Sequence, residues 1–174
     1  VSFKEGFKSG GFTQRVFPPV AKVPDVGPEF VSVYEAGFKL TAFDRRARIN
    51  GALFYTDYSD IQVQGFTAAG GVAPVYINGP KARMQGFELE VQAAPARGWF
   101  IEMGLGFLDD KYINIPPNAI GLQLTNRFER VSKWTMTAGI QKEFELGGNA
   151  GSLRPRLDWA YRSKFYNDST NLEA

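Results

Sequence analysis

Two pairs of carboxylates invite a chemical reading first, Glu88/Glu90 and Asp109/Asp110. In an extended segment, residues i and i+2 lie on one face about 7 Å apart. Glu88 and Glu90 therefore have roughly the separation of an acid/base pair in a glycoside hydrolase. Any strand with one wet face generates such pairs, and that is the better account of this one. Asp57, Asp60, Asp109 and Asp110 could gather around a cation, but they lack the spacing of a calcium loop. The chain has no His and no Cys. That excludes Ser-His-Asp chemistry, cysteine nucleophiles, thiolate sites and His-ligated zinc within it. Gly10-Gly11 and Gly70-Gly71 are isolated pairs that turn chemistry explains. Nothing cradles a phosphate. The residues point away from an enzyme and to no metal or cofactor. The net charge of +2 is too small to argue for nucleic acid.

The elements that would position these residues are strands. Aromatics make up 14% of the 174 residues, and there are 19 Gly. That mixture favours β-structure with many turns. Side chains alternate between faces along a strand, and the alternation recurs. Trp99, Ile101, Met103, Leu105 and Phe107 oppose Glu102, Gly104 and Gly106. Similar patterns run through Val1 to Lys8, Phe30 to Ala42, Lys81 to Ala93, Ser132 to Leu146 and Leu153 to Phe165. Ala47 to Val63 alternates less cleanly, because Phe54 and Tyr58 sit on the polar parity. A bulge would explain that, and so would aromatics turned inward.

Seven strands result, many of about 13 residues, or roughly 43 Å at about 3.3 Å per residue. Tilted by about 45°, such a strand rises about 30 Å, the thickness of a bilayer core. No window holds about 18 consecutive apolar residues, so no transmembrane helix is expected. Connections alternate in length. Short ones lie at Asp44-Arg45-Arg46, Pro95-Ala96-Arg97 and Gly147-Gly148-Asn149. Long ones run from Ser9 to Glu29, Gln64 to Pro80 and Ile113 to Val131. Short turns at one end and long loops at the other are the asymmetry of outer-membrane barrels. Aromatics gather near strand ends: Trp99, Trp134 and Phe144 toward the short turns, Tyr112, Phe165 and Tyr166 toward the long loops, with Tyr55 and Tyr58 nearby. A soluble β-sandwich also alternates, but it would have to expose seven long charged faces. The expected fold is all-β, an antiparallel transmembrane β-barrel segment. Because the chain opens at Val1 inside a strand pattern and stops at Ala174 in a polar stretch, it reads as part of a larger protein.

Several segments carry a resemblance. Tyr34-Glu35-Ala36-Gly37-Phe38-Lys39 is followed by Phe43-Asp44, Arg48 and Asn50. Next comes Phe54-Tyr55-Thr56-Asp57-Tyr58-Ser59-Asp60-Ile61-Gln62-Val63. Asn78, Ala82, Gly86, Glu88 and Glu90 form a second group, and Gly6-Phe7-Lys8-Ser9-Gly10-Gly11-Phe12 a third. Together they resemble the barrel of a TonB-dependent outer-membrane receptor. Glu35, Gly37 and Lys39 share the inward parity, as do Ala82, Gly86, Glu88 and Glu90. Charges there meet water or partner charges, which lipid would not permit. Glu35, Lys39, Glu88 and Glu90 are read as parts of the wall rather than as ligand contacts.

The resemblance implies a 22-stranded barrel around an N-terminal plug, with short periplasmic turns and long extracellular loops. Residues 1–174 would be a partial barrel domain, with the plug and terminal strands outside it. It implies an active transporter of a Gram-negative outer membrane, set in lipid and energised by TonB through an N-terminal region. The ligand would be a scarce extracellular molecule, an iron chelate such as a ferric siderophore foremost. Loop residues Phe66, Tyr76, Tyr112 and Arg127 combine aromatic faces with positive charge, as such a ligand would like; loop packing is the plainer account of each. A passive porin-like channel and a soluble glycan-binding β-sandwich are the competing functions.

Overall fold

The computed structural model describes residues 1–12, 23, 25–67, 73–117, 119, 121–148, 150–169 and 171, with the backbone alone at 64–67 and 73–75. Alternating sequence becomes one antiparallel sheet. Its strands are β1 (Ser2–Lys8), β2 (Glu29–Ala42), β3 (Ala47–Ser59), β4 (Lys81–Ala93), β5 (Trp99–Asn114), β6 (Trp134–Lys142) and β7 (Arg156–Arg162). Each strand pairs with the next in the chain, so the sheet is a seven-stranded meander with β1 and β7 at its edges. No second sheet packs face to face on it among the described residues. The single layer fits the expected barrel segment, whereas a β-sandwich needs two facing sheets.

The expected lengths hold in the middle of the sheet. Strands β2 to β5 have 14, 13, 13 and 16 residues. The flanking strands are shorter, with 7 residues in β1, 9 in β6 and 7 in β7. The expected continuous strand from Leu153 to Phe165 is broken. Pro155 has no N–H for the ladder, and Ser152–Leu153 instead pairs with Phe144–Glu145 in a small ribbon below β6 and β7. The expected strand from Ala47 to Val63 ends at Ser59, because Asp60 turns the chain with a φ of 55°. Beyond it Val63–Thr67 pairs with Ala73–Ile77, so the second long connection contains a ribbon of its own.

Phe54 and Tyr58 are not the mark of a bulge. Strand β3 pairs residue by residue with β2 and β4 through both positions. Both aromatics turn to the polar face. Phe54 lies over Gly86, where an added Cβ would come within 2.7 Å of its ring. Tyr58 joins the core described below. One register shift does occur elsewhere, at Lys81/Ala82 in β4.

Trp134 is also placed differently from the expectation. It opens β6 and pairs with Phe107, on the side of the long connections. The reason is direction: β5 runs toward the long connection, so antiparallel β6 must begin there. Trp99 does lie at the short-turn end, where Lys142 sits 5.1 Å from its ring and 5.8 Å from that of Phe144.

Candidate functional site

Register assigns each side chain to a face. One face carries Leu53, Phe87, Phe107 and Trp134 as successive neighbours across β3 to β6. Their rings touch, with centroids 5.7 Å apart for Phe87–Phe107 and 4.7 Å for Phe107–Trp134. Phe3, Tyr34 and Tyr55 extend the aromatics toward β1, at 4.9 and 6.2 Å. This face is not covered: Leu53 is 63% exposed, Met103 55% and Leu157 69%.

The opposite face is polar. Glu35 neighbours Phe54 and then Gly86; Gly37 neighbours Ala52 and then Glu88; Lys39 neighbours Asn50 and then Glu90. Of the family-motif positions, Glu35, Gly37, Lys39, Asn50, Glu88 and Glu90 thus assemble into one patch of wall, which lines a shallow hollow of about 300 Å³. Lys4 reaches Glu35 at 3.8 Å, and the Asn50 amide donates to Glu90 at 3.4 Å. Farther along, Arg156 is bonded to Glu102 across the sheet and to Asp158 at 2.6 Å. Glycines opposite threonines keep this face low. An added Cβ at Gly104 would meet the Thr137 hydroxyl at 2.7 Å, and one at Gly106 the Thr135 hydroxyl at 2.6 Å.

The long-connection end holds the most organised chemistry. A small core of Ile61, Val63, Ala82 and Tyr112 forms there, with Tyr58, Ile77 and Phe128 packed against it. Pro80 beside it is fully buried. Two amides bind the connections around this core. The Asn78 side chain accepts from the Gly27 N–H and donates to the Gly27 carbonyl at 3.0 Å and the Asp60 carbonyl at 2.7 Å. The Gln62 side chain donates to the Ser9 carbonyl at 2.9 Å and the Gly27 carbonyl at 3.0 Å. Its backbone N–H donates to Glu29 at 3.0 Å. Motif positions Asp60, Gln62 and Asn78, up to 18 residues apart, therefore meet in one knot of side chain to backbone bonds. Gly79 permits the knot, because its φ of 121° lies in glycine territory and an added Cβ would press on Pro116 at 3.0 Å.

The ligand candidates from the loops fall in different places. Tyr112 is 6% exposed and its ring packs 4.9 Å from Phe128, which leaves little surface to offer a ligand. Arg127 is engaged: its guanidinium bonds Asp109 at 3.1 Å and the Asp110 carbonyl. Asp110 in turn accepts from the Phe128 N–H at 2.7 Å. The carboxylates Asp109 and Asp110 thus converge on a guanidinium and a loop backbone rather than on each other. Asn171 adds a second anchor, donating to the Arg127 carbonyl at 2.9 Å. Tyr76 is 47% exposed on the ribbon of the second long connection. The side chain of Phe66 lies outside the described residues. Sequence reasoning missed Gly27, Glu29, Phe128 and Asn171 as partners, since no local pattern marks a residue that is bonded from 18 to 51 positions away.

A family model described as "TonB dependent receptor-like, beta-barrel" matches residues 1–173. No curated protein matches the chain. The ferric yersiniabactin uptake receptor FyuA from Yersinia pestis superposes on 97% of the chain with a TM-score of 0.74 and 22% identity. The alcaligin outer-membrane receptor FauA from Bordetella pertussis superposes on 93% with a TM-score of 0.53 and 18% identity. At those identities the likeness concerns the fold. The chain spans about a quarter of those receptors, 24% of the first and 26% of the second. A single meander with one apolar and one polar face, matched along nearly all its length, places the chain in the TonB-dependent receptor-like β-barrel family.

Proposed function

We propose that this chain forms an arc of the wall of an outer-membrane active transporter in a Gram-negative bacterium. One observation carries the reading. An uncovered apolar face with touching aromatics backs onto a face of Glu, Lys and Arg. Apolar patches of that extent on a soluble protein would drive association. In a bilayer they meet lipid, and the polar face lines the interior, as in barrels of this architecture. A wall seven strands wide fits within the 22 strands of plugged outer-membrane transporters.

In this reading a plug fills the interior and TonB supplies the energy through an N-terminal region. The ligand is an iron chelate of the siderophore class; one structural neighbour is named for ferric yersiniabactin uptake and the other for alcaligin. The passive channel is the less favoured reading, because the family that matches is a receptor family. Tyr76 is the loop residue best placed to meet a ligand, and Tyr112 and Arg127 hold the loop that flanks it. Deleting the gene and measuring uptake of radiolabelled ferric chelates tests the proposal. Loss of uptake for one chelate, restored by the intact gene and abolished without TonB, is expected. Unchanged uptake of every chelate, or uptake that persists without TonB, would refute it.

A further inference from the structure

Cations on the apolar side of the sheet behave unlike the rest of that face. Past the row Phe87–Phe107–Trp134, the next positions on the same face are Gln85 and Asp109, and after them Arg83 and Lys111. Arg83 and Lys111 pair directly across β4 and β5. Two cations so placed have Cβ atoms about 5 Å apart and destabilise the ladder. Arg83 finds one acid, Asp57, at 3.4 Å. Lys111 is exposed, and no acidic side chain among the described residues pairs with it. Lys133 joins the group from the following loop, 3.3 Å from Asp109. Asp109 is already shared with Arg127 at 3.1 Å, so the patch carries more cations than acids. Ring contacts hold two of the cations at the margin of the aromatics. Arg83 lies 5.0 Å from the centre of Tyr55, and Lys133 lies 5.4 Å from that of Phe107.

We propose that Arg83, Lys111 and Lys133 bind the phosphate of an anionic lipid headgroup in the outer leaflet. The inference rests on the membrane reading above. If the apolar band meets acyl chains, cations just past its aromatic margin stand at headgroup depth, where basic clusters recruit phosphate-bearing lipids. The bound phosphate supplies the opposite charge that Lys111 lacks beside Arg83. It also explains why a cation pair that weakens the bare sheet can be kept there.

The test uses the purified full-length receptor, stripped of lipid in nonionic detergent. It is titrated with bisphosphorylated lipid A, its dephosphorylated form and inorganic phosphate, and read by native mass spectrometry and thermal unfolding. The wild type should bind the phosphorylated lipid at least about tenfold tighter than the other two, about 1.4 kcal/mol. Lys111→Gln should bring that binding down to the dephosphorylated level. Lys111→Glu gives Arg83 an opposite charge, so it should raise the lipid-free melting temperature while abolishing phosphorylated-lipid binding. A merely structural Lys111 would instead leave lipid binding unchanged in both variants, and that would overturn the site. Inorganic phosphate binding as tightly as the lipid would overturn the lipid assignment. Cell fractionation separates the two levels: a receptor absent from the outer membrane sinks the membrane reading. One present there that fails the titration sinks the lipid site alone.

Discussion

Gly86→Ala should destabilise the barrel wall by about 2–3 kcal/mol, the upper part of the range for overpacking in a well-packed site. An added Cβ at Gly86 would stand 2.0 Å from the Phe107 carbonyl oxygen and 2.7 Å from the Phe54 ring. These contacts differ in how they yield. The ring is the far end of a side chain and can swing toward the interior. The carbonyl belongs to β5, which pairs with β4 on one side and β6 on the other, so relieving it means prying two ladders. Phe54→Ala removes only the softer contact. In the Phe54→Ala background, Gly86→Ala should therefore keep at least about half of its effect, which a double-mutant cycle isolates. The assay is urea unfolding of the full-length receptor in lipid vesicles, followed by tryptophan fluorescence. An effect of Gly86→Ala below about 0.5 kcal/mol, or full rescue by Phe54→Ala, would refute the steric argument.

Asn78→Asp keeps the acceptor for the Gly27 N–H but loses both donations, to the Gly27 and Asp60 carbonyls. At about 1 kcal/mol per bond, amide hydrogen exchange around Gly27 and Asp60 should quicken, while exchange in β4 and β5 stays as it was; unchanged exchange at the knot would count against it. Glu143 is held below the usual carboxylate range, chiefly by its hydrogen bond from Arg154, at 2.7 Å, and further by Ser152. A depressed carboxyl stabilises the fold above its unfolded pKa and loses that contribution as pH falls through its folded pKa. The stability gap between wild type and Glu143→Gln should thus be flat near neutral pH and close in acid below about 4.5, and a gap that widens there would contradict the ion pair. Tyr76→Ala should weaken ferric-chelate uptake without lowering the amount of receptor in the outer membrane, whereas Arg127→Ala should lower both. Equal uptake in wild type and Tyr76→Ala would remove the ribbon from the ligand path.

Much of the wall was legible from residue order. Alternation in Trp99 to Phe107 and Lys81 to Ala93 predicts the two faces that the register confirms. The three short turns and three long connections predict the up-and-down meander. The signal failed where alternation persists through a residue that breaks the ladder. Pro155 and Asp60 are such residues, since one lacks a donor and the other adopts a left-handed turn. It failed again for Trp134, whose end of the sheet depends on the direction of its strand.

Sequence alone determined the seven strands of the main sheet, their parity and the family, because a period of two and a set of spaced motif residues are local properties of the chain. Tertiary structure decided which motif residues act together. Asp60, Gln62 and Asn78 close one knot with Gly27, and Arg127 is spent on Asp109 and the Asp110 carbonyl rather than left open. It also decided that Tyr112 is core and that Arg83 stands beside Lys111. Those facts depend on register and on chain separations of up to 51 residues, and no local pattern encodes them.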